Sequence, residues 1–434
     1  MAQYPDALLI APVRGPVDAA VELPGSKSYT NRALLIAALA EGDSAIRAAL
    51  FSDDTYYMAE SLTRLGIPVA ADERSATFHV VGQGGRIPAE RADLFAGNSG
   101  TTARFLTAAL ALGHGAYRLD GVPRMRQRPI EPLLTALRQL GVDAASEMGD
   151  GCPPLLVRGT GLRGGKAALP GQTSSQYFSA LLMVGPLTRD GLTLEVEGDL
   201  VSQPYIDLTA GTMRAFGAEM RNEDYRRFVV AGGQRYVGRD YAVEPDASAA
   251  SYFFALAAAT GGRVRVANLG AGSAQGDVHF VDVLEQMGCR VERAADFIEV
   301  AGPAQLRGAD IDMNGISDTV QTLAAIAPLA EGAVTIRNVG HIRHKETDRL
   351  AALVAELRGL GVAVEERADG LTVLPGFVRP GRVRTYDDHR MAMSFAILGC
   401  IVPGITIEQP ACVAKTFPDF FARLAAATGQ DAPF

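Results

Sequence analysis

Apolar and polar residues follow a block pattern that recurs five times along this chain of 434 residues. Each block starts with helix-like apolar spacing that ends in Leu, Phe or Met followed by Gly. Two short stretches of alternating apolar and polar residues follow, on either side of a polar turn. Glycine at that place predicts a left-handed helix C-cap, and the alternation predicts strands. The five glycines are spaced by 71 to 76 residues and are Gly66, Gly141, Gly217, Gly288 and Gly361.

A repeat of this length indicates duplicated α/β units that are larger than solenoid repeats. Because a second apolar helix lies between successive glycines, each unit reads as βαβαββ. Three blocks lie before residue 240 and two after it, so a sixth unit must combine an N-terminal strand at residues 7–13 with the C-terminal segment from about Arg384. We therefore predict an α/β fold of two domains, each with three βαβαββ units and buried helices. Domain 1 is discontinuous, at 1–25 and 243–434, and domain 2 covers 26–242.

Composition narrows the class of protein. Hydrophobic residues make up 48% and charged residues 21%, which is typical of a soluble globular protein. The N-terminus lacks the pattern of a signal peptide, and no apolar run approaches the ~18 residues of a membrane span. The four cysteines form no CxxC pair, which favours the reducing cytoplasm and argues against a zinc site. A net charge of −8 argues against general nucleic-acid binding.

Lysine is rare in this chain, since only four of its 41 basic residues are Lys. Arg serves as the default cation, so each remaining Lys needs a reason such as a compact charge whose pKa burial can move. Lys27, Lys345 and Lys415 lie in dense polar motifs, whereas Lys166 lies in a Gly-rich stretch and resembles a surface residue. We predict functional cations at the first three positions.

Several motifs place polar side chains where a predicted helix begins. In PGSKSYTNRAL, the cations Lys27 and Arg32 flank Ser28 at a helix N-terminus, where free N–H groups and the helix dipole favour anions. In NSGTTARF, Gly100 lets a ligand approach the backbone. A plain capped surface helix is the alternative for each motif. Hydroxyl and amide groups at two further helix starts suit a polyol or a phosphate ester, or simple capping, and belong to Ser174, Ser175, Gln176, Ser202 and Tyr205.

Three arginines, Arg124, Arg126 and Arg128, occupy five positions before a helix-breaking proline. They suit carboxylate or phosphate recognition, with a solvated charged turn as the alternative. Asp318 starts an apolar helix, either as a cap or as a general base.

The segment HIRHKETDRL carries the strongest signal, because Lys345 and Arg349 are four residues apart on one helix face and repel each other unless an anion lies between them. Glu346 between them adds a possible proton donor.

Seven motifs, in chain order, resemble those of the 5-enolpyruvylshikimate-3-phosphate (EPSP) synthase family: PGSKSYTNRALL, LFAGNSGTTARF, RMRQRPI, SSQYFSALL, HKETDRL, DDHRMAM and AKTFPDF. The resemblance covers about residues 8 to 422. It implies a two-domain enolpyruvyl transferase architecture with the active site in the cleft between the domains. It also implies transfer of the enolpyruvyl group of phosphoenolpyruvate to the 5-hydroxyl of shikimate 3-phosphate, with release of phosphate, in the sixth step of chorismate synthesis. A cytoplasmic monomer without metal or organic cofactor is expected.

The resemblance also implies roles for single residues. Asp318 matches the base that takes the hydroxyl proton, Glu346 the acid that protonates the methylene carbon, and Lys27 a catalytic cation that touches both substrates. The expected phosphoenolpyruvate ligands are Lys27, Gly100, Arg128, Gln176, Arg349, Arg390 and Lys415. The expected shikimate 3-phosphate ligands are Lys27, Ser28, Arg32, Ser174, Ser175, Gln176, Ser202, Tyr205, Asp318, His341 and Lys345.

Three positions depart from the family pattern. His341 replaces a common Asn, Gln203 a common basic residue, and Phe105 a common Pro. Two alternatives to this function are a sister transferase that acts on a nucleotide sugar and a non-catalytic anion-binding protein. The sister enzymes use a reactive cysteine in an Arg-rich loop, and no cysteine of this chain lies in such a loop. A binding protein would have no use for an acid–base pair such as Asp318 and Glu346.

Overall fold

The computed structural model describes residues 4–431. The chain divides into two compact units, with Met1–Pro24 and Pro245–Phe434 in unit 1 and Gly25–Glu244 in unit 2. Hydrogen bonds fasten the chain inside each unit next to the two crossing points. In unit 1 the Asp246 amide donates to the Pro24 carbonyl at 3.0 Å, and in unit 2 the Ser26 amide donates to the Glu244 carbonyl at 2.7 Å.

Twelve α-helices and 23 strands lie within residues 4–431. The helices are α1 (Lys27–Leu39), α2 (Asp53–Arg64), α3 (Gly100–Ala109), α4 (Glu131–Gln139), α5 (Ser175–Val184), α6 (Pro204–Ala215), α7 (Ala247–Thr260), α8 (Phe280–Gln286), α9 (Val320–Ile326), α10 (Arg349–Gly359), α11 (His389–Gly399) and α12 (Phe420–Thr428). The strands are β1 (Ala7–Leu9), β2 (Asp18–Val21), β3 (Glu41–Arg47), β4 (Val69–Asp72), β5 (Thr77–Gln83), β6 (Arg91–Phe95), β7 (His114–Asp120), β8 (Asp143–Ser146), β9 (Leu155–Thr160), β10 (Gly165–Pro170), β11 (Leu192–Glu197), β12 (Arg221–Glu223), β13 (Arg227–Val230), β14 (Asp240–Ala242), β15 (Arg263–Val266), β16 (Arg290–Arg293), β17 (Ile298–Ala301), β18 (Ala309–Asp312), β19 (Val334–Arg337), β20 (Val364–Arg367), β21 (Gly370–Val373), β22 (Gly381–Val383) and β23 (Ile405–Glu408).

The sheets confirm the βαβαββ repeat. Unit 2 has three four-stranded sheets, with strand orders β6-β7-β9-β8, β10-β11-β13-β12 and β14-β3-β5-β4. In each sheet the first two strands are parallel and the remaining pairs are antiparallel. The five glycines of the sequence repeat all have positive φ, between +83° and +103°, as a left-handed C-cap requires.

Unit 1 repeats the pattern in the sheets β16-β17-β15-β2 and β18-β19-β21-β20. Its third sheet, β1-β23-β22, joins both ends of the chain, with Ala7 opposite Glu408 in an antiparallel pair. The predicted assembly of a sixth unit from the N-terminal strand and the C-terminal segment is therefore confirmed. The C-terminal part of this sheet begins with β22 at Gly381, three residues before the predicted Arg384. The sheet has three strands among the described residues.

Two repeats take their first strand from a distant part of the chain. Strand β2 pairs with β15, although α7 and β15 follow it by more than 220 residues. Strand β14 likewise pairs with β3, which precedes it in the chain. Neither pairing could be predicted from the sequence, because both strands are short and largely exposed and so have little hydrophobic signal.

One helix in each repeat is buried on all sides, as predicted. These helices are α1, α3 and α5 in unit 2 and α7, α9 and α11 in unit 1, and nearly all of their residues are buried. Apolar and small residues on every face explain this, since such a helix has no side that favours water. In unit 1 the three helices pack against one another, and in unit 2 α3 packs against both α1 and α5. The first turns of these buried helices carry six of the predicted site residues, which are Lys27, Ser28, Gly100, Ser175, Gln176 and Arg390.

Candidate active site

The first turns of the three buried helices of unit 2 are linked by side chains. Asn31 of α1 donates to Thr101 of α3 at 2.7 Å. Arg104 of α3 donates from Nη1 to Gln176 Oε1 of α5 at 2.7 Å. Lys27, the first residue of α1, has its Nζ 3.4 Å from Asp54 Oδ2. The first two links connect the N-terminal parts of α1, α3 and α5, which carry predicted residues as far apart in the sequence as Lys27 and Gln176.

Only one arginine of the predicted triplet is buried. Arg128 donates from Nη1 to the carbonyl of Asn98 at 2.8 Å and to its Oδ1 at 3.2 Å. Arg126 instead forms an ion pair with Asp120 at 2.7 Å, with half of its side chain exposed. A Cβ added to Gly100 would lie 2.6 Å from Arg128 Nη2 and 2.9 Å from Arg104 Nη1. The guanidinium groups of Arg128 and Arg104 thus lie close to the backbone of Gly100 and make the start of α3 positively charged.

The predicted shikimate phosphate residues of unit 2 differ in their surroundings. Ser174 is the N-cap of α5, where its hydroxyl accepts from the Gln176 amide at 3.2 Å. Ser202 is buried and has a φ of +53°, a strained value for serine, immediately before α6. Ser175 is buried, whereas Ser28 and Tyr205 are half-buried.

Arg32 is fully buried at 0% exposure. Its guanidinium donates to Thr209 Oγ1 at 2.8 Å, Ser179 Oγ at 3.3 Å and the carbonyl of Tyr205 at 3.2 Å. Burial lowers its pKa to about 10. These bonds make Arg32 a cross-link between α1, α5 and α6 in the ligand-free protein.

In unit 1 a single carboxylate gathers three cations. Asp318 lies on a 3-10 helix, Asn314–Thr319, directly before the buried helix α9. Its Oδ1 accepts from Lys345 Nζ at 2.5 Å and from Arg349 Nη1 at 3.1 Å, and its Oδ2 accepts from Arg390 Nη2 at 2.8 Å. The expected anion between Lys345 and Arg349 is thus the protein's own carboxylate. Thr319, and not Asp318, occupies the N-cap of α9.

Arg349 connects the acidic groups of this cluster and is 1% exposed. It donates to Glu346 Oε2 at 2.8 Å and to Asp388 Oδ2 at 2.7 Å. Burial alone would lower the pKa of Arg349, but the carboxylates of Asp388, Glu346 and Asp318 hold it above its usual value. Burial has the opposite net result for Lys345, whose pKa it lowers despite the nearby Asp318.

Comparison with known proteins decides the family. The EPSP synthase (3-phosphoshikimate 1-carboxyvinyltransferase) family model matches residues 13–424. A 3-phosphoshikimate 1-carboxyvinyltransferase of Trichormus variabilis is 53% identical over 98% of this chain and 100% of its own length. One of Shewanella baltica is 46% identical over 97% and 98%. The chain belongs to the EPSP synthase family. The family reaction is enolpyruvyl transfer from phosphoenolpyruvate to shikimate 3-phosphate in the shikimate pathway.

A solved EPSP synthase of Acinetobacter baumannii has the same fold. It superposes with a TM-score of 0.81 at 26% identity and covers 97% of this chain and 98% of its own. The predicted fold class, family and reaction are therefore confirmed.

Three further side chains contact predicted ligands but were absent from the prediction, and two of the three lie in quoted motifs. Arg104 stands four residues after Gly100 on α3, a spacing that could have indicated a shared helix face. Asp388 caps α11 by accepting from the Arg390 amide at 2.9 Å and also holds Arg349. Tyr252 of α7 accepts from Arg390 at 3.3 Å, and its distance of 138 residues left no local signal.

Lys415 is buried at the end of a 3-10 helix, Pro410–Lys415. Burial raises the pKa of Asp387, which Lys415 opposes with its positive charge. Asp387 and Tyr386 both have a φ of +55°, so the backbone of the turn before α11 is strained. This turn directly precedes the predicted ligand Arg390.

Residues 4–431 contain no group of three or more His, Cys, Asp or Glu side chains positioned to hold a metal ion. Among the same residues, none of the helices has both the length and the hydropathy to cross a bilayer.

Replacing Gly100 with alanine should raise the KM for phosphoenolpyruvate about tenfold, because the new methyl group displaces Arg128 and Arg104 by a fraction of the ~1 Å that can cost ~10²-fold. The KM for shikimate 3-phosphate should change less than about twofold. Gly211→Ala is the control, since a Cβ at this helical glycine meets nothing within 4 Å. Equal effects of both variants on phosphoenolpyruvate would contradict the prediction.

His341 should make EPSP synthase stability sensitive to acid. Burial, followed by the charge of Lys345, lowers its pKa to about 3, so the folded protein keeps this histidine neutral. Between pH 6.5 and 3 the unfolded chain binds more protons, and stability falls as pH falls. His341→Asn should remove a loss of about 2 kcal/mol at pH 4.5. Thermal melts at pH 7 and pH 4.5 measure this, with exposed His279→Asn as control. Parallel loss of Tm in all three proteins would contradict it.

Proposed function

We propose that the charged groups at the buried helix starts of both units act on one pair of substrates, phosphoenolpyruvate and shikimate 3-phosphate, and transfer the enolpyruvyl group to the 5-hydroxyl. The observation that carries this proposal is Asp318 held between Lys345, Arg349 and Arg390. Both substrates are polyanions, and their phosphate and carboxylate groups are strong partners for such cations. The carboxylate of Asp318 can take the proton of a hydroxyl once these cations face the anionic groups of the substrates.

The cations of each unit suit the anionic groups of phosphoenolpyruvate. Arg128 on the backbone of Gly100 offers a guanidinium at the start of α3, and Arg349 and Arg390 offer two more at the start of α9. We assign to this substrate Lys27, Gly100, Arg128, Gln176, Arg349, Arg390 and Lys415. We assign to shikimate 3-phosphate Lys27, Ser28, Arg32, Ser174, Ser175, Gln176, Ser202, Tyr205, Asp318, His341 and Lys345.

Substrate binding exchanges the partners of Asp318. The incoming carboxylate and phosphate attract Lys345, Arg349 and Arg390, the three cations that contact Asp318. Once these cations face the substrates, a carboxylate oxygen of Asp318 is available to the 5-hydroxyl. The charge of the cluster stays balanced throughout, which keeps the cost of burying it low.

The reaction then follows an addition and an elimination. Asp318 takes the proton of the 5-hydroxyl, the oxygen bonds to C2 of phosphoenolpyruvate, and Glu346 gives a proton to the methylene carbon. The product is a tetrahedral ketal with a methyl group. In the elimination the Glu346 carboxylate takes a proton back from the methyl group and the C2–O bond to phosphate breaks. The double bond is restored and phosphate leaves, with its charge stabilised by Lys27.

A phosphate-release assay tests this function. The purified protein should release one phosphate per product only when both substrates are present, and omission of either should abolish it. UDP-N-acetylglucosamine in place of shikimate 3-phosphate should give no release. Burial raises the pKa of Cys289, Cys400 and Cys412 to about 12, which argues against the reactive cysteine of the sister enzymes. Release with the nucleotide sugar, or tight binding of both substrates without release, would overturn the proposal.

We also propose that the protein acts as a cytoplasmic monomer. All four cysteines are free thiols, which suits a reducing compartment. Light scattering coupled to gel filtration should give the mass of one chain, with and without substrates, and a dimer mass would contradict this.

A further inference from the structure

A second carboxyl group lies on a segment that packs against the one carrying Asp318, and it takes no part in the reaction described above. Asp277 belongs to a short 3-10 helix, Gly276–His279, and is 4% exposed. This helix packs against α7 and against the segment Asn314–Thr319 that carries Asp318. Ser248, in the first turn of α7, donates from Oγ to Asp277 Oδ2 in a short hydrogen bond.

The position of Asp277 is held by its surroundings. Gln275, two residues earlier, accepts from the Ala247 amide at 3.2 Å and donates from Nε2 to the Pro245 carbonyl at 2.7 Å. These bonds tie the segment to the start of α7, so Asp277 cannot swing away from Asp318 without breaking them. Burial of a carboxylate at this place costs free energy, because the group loses its hydration, and the Ser248 hydrogen bond offsets part of that cost.

The charged groups that face Asp277 are Asp318, Arg390 and Asp246. Burial raises the pKa of Asp277 to about 6, the charge of Asp318 adds to this, and Arg390 and the Ser248 hydroxyl oppose it. The group therefore titrates just below neutral pH and is mainly a carboxylate at pH 7 and above.

Asp318 needs help to act as a base. Its three cations, at 2.5 to 3.1 Å, favour the charged carboxylate and reduce its tendency to take a proton. A second negative charge nearby has the opposite effect and restores basicity. The same negative charge attracts the positive charge of Arg390. From this geometry we infer that Asp277 is a positioning residue whose negative charge makes Asp318 a stronger base and holds Arg390 in place. The inference rests on the proposed role of Asp318.

Asp277→Asn removes the charge and keeps the shape of the side chain. A neighbouring charge shifts the pKa of an acid by ~1 unit or more. Because the rate of general-base catalysis follows only part of such a change in pKa, kcat should fall about 3- to 10-fold at pH 7.5. The KM values of both substrates should stay within about twofold. In the profile of kcat against pH, the wild type should show an ionisation near pH 6 that the variant lacks. Ionisations of the substrates themselves appear in both profiles and cancel in the comparison.

The matched control is Asp282→Asn, which removes a half-exposed carboxylate from α8, five residues further along the chain. Its kcat and pH profile should equal those of the wild type. The inference is overturned if Asp277→Asn also matches the wild type in both.

Ser248→Ala gives a test that keeps the Asp277 carboxyl. Without the hydroxyl donor the carboxylate is less stable, so its ionisation should move to higher pH. The variant should lose activity relative to wild type at pH 6.5 and regain it at pH 8.5. A loss that is the same at both values would show a merely structural role and overturn the inference, even if Asp277→Asn failed to fold.

The Asp318→Asn variant distinguishes a failure of the inference about Asp277 from a failure of the proposed function of Asp318. If this variant loses turnover while Asp277→Asn and Ser248→Ala keep wild-type pH profiles, the proposed function stands and only the inference fails. If Asp318→Asn stays active, the proposed base is wrong, and the inference fails with it.

Discussion

Replacing Asp318 with asparagine should lower kcat by about 10²–10⁴-fold, the range that general-base catalysis typically contributes. Binding of shikimate 3-phosphate should be nearly unchanged or tighter. The physical reason is that Asp318 competes with substrate anions for Lys345, Arg349 and Arg390, and asparagine does not. Steady-state phosphate release gives kcat, and calorimetric titration gives the dissociation constant.

The control for this variant is Asp310→Asn, which removes an exposed carboxylate from β18 in the same repeat. Thermal melts of both variants are needed, because asparagine leaves three buried cations with less counter-charge and should lower the Tm. If Asp318→Asn keeps more than about a third of the wild-type rate, its role is structural and not that of a base.

Replacing Lys345 with arginine should lower kcat/KM about 10²-fold, although the charge is kept. Lys345 reaches Asp318 Oδ1 at 2.5 Å on the same oxygen that Arg349 contacts at 3.1 Å. A second planar guanidinium is too wide for that place and must push Asp318 or the substrate aside. A misplacement of ~1 Å between reacting groups can cost ~10²-fold.

The same substitution at the other lysines forms a graded series. Lys27→Arg should show a large loss, since a compact ammonium is needed between two substrates, and Lys415→Arg a smaller one. Lys166→Arg is the internal control, because this residue is exposed on strand β10 and should tolerate arginine fully. Values of kcat/KM for both substrates, with thermal melts, measure the series. Near-wild-type activity of Lys27→Arg would refute the argument from the rarity of lysine.

Local signals made the architecture predictable. A glycine at each helix end adopts a left-handed conformation that other residues avoid. Glycines such as Gly66 and Gly361 therefore mark the repeat in the sequence. Apolar and small residues on every face of α7 and α11 likewise require burial wherever these helices lie. Lysine usage and the dense polar motifs pointed to Lys27, at the start of α1, and to Lys345, four residues before α10 begins.

The tertiary structure alone decided which partner each of these groups meets. Arg126 and Arg128 are two residues apart and look alike in sequence, yet one pairs with Asp120 at the surface and the other is buried against Asn98. The contacts of Asp318 with Arg349 and Arg390 span 31 and 72 residues. The repeat, the buried helices and the family could be predicted from the sequence, because neighbouring residues set the local backbone conformation and the pattern of burial. The charge balance around Asp318 depends on distances of a few ångströms between distant segments, and only packing sets those.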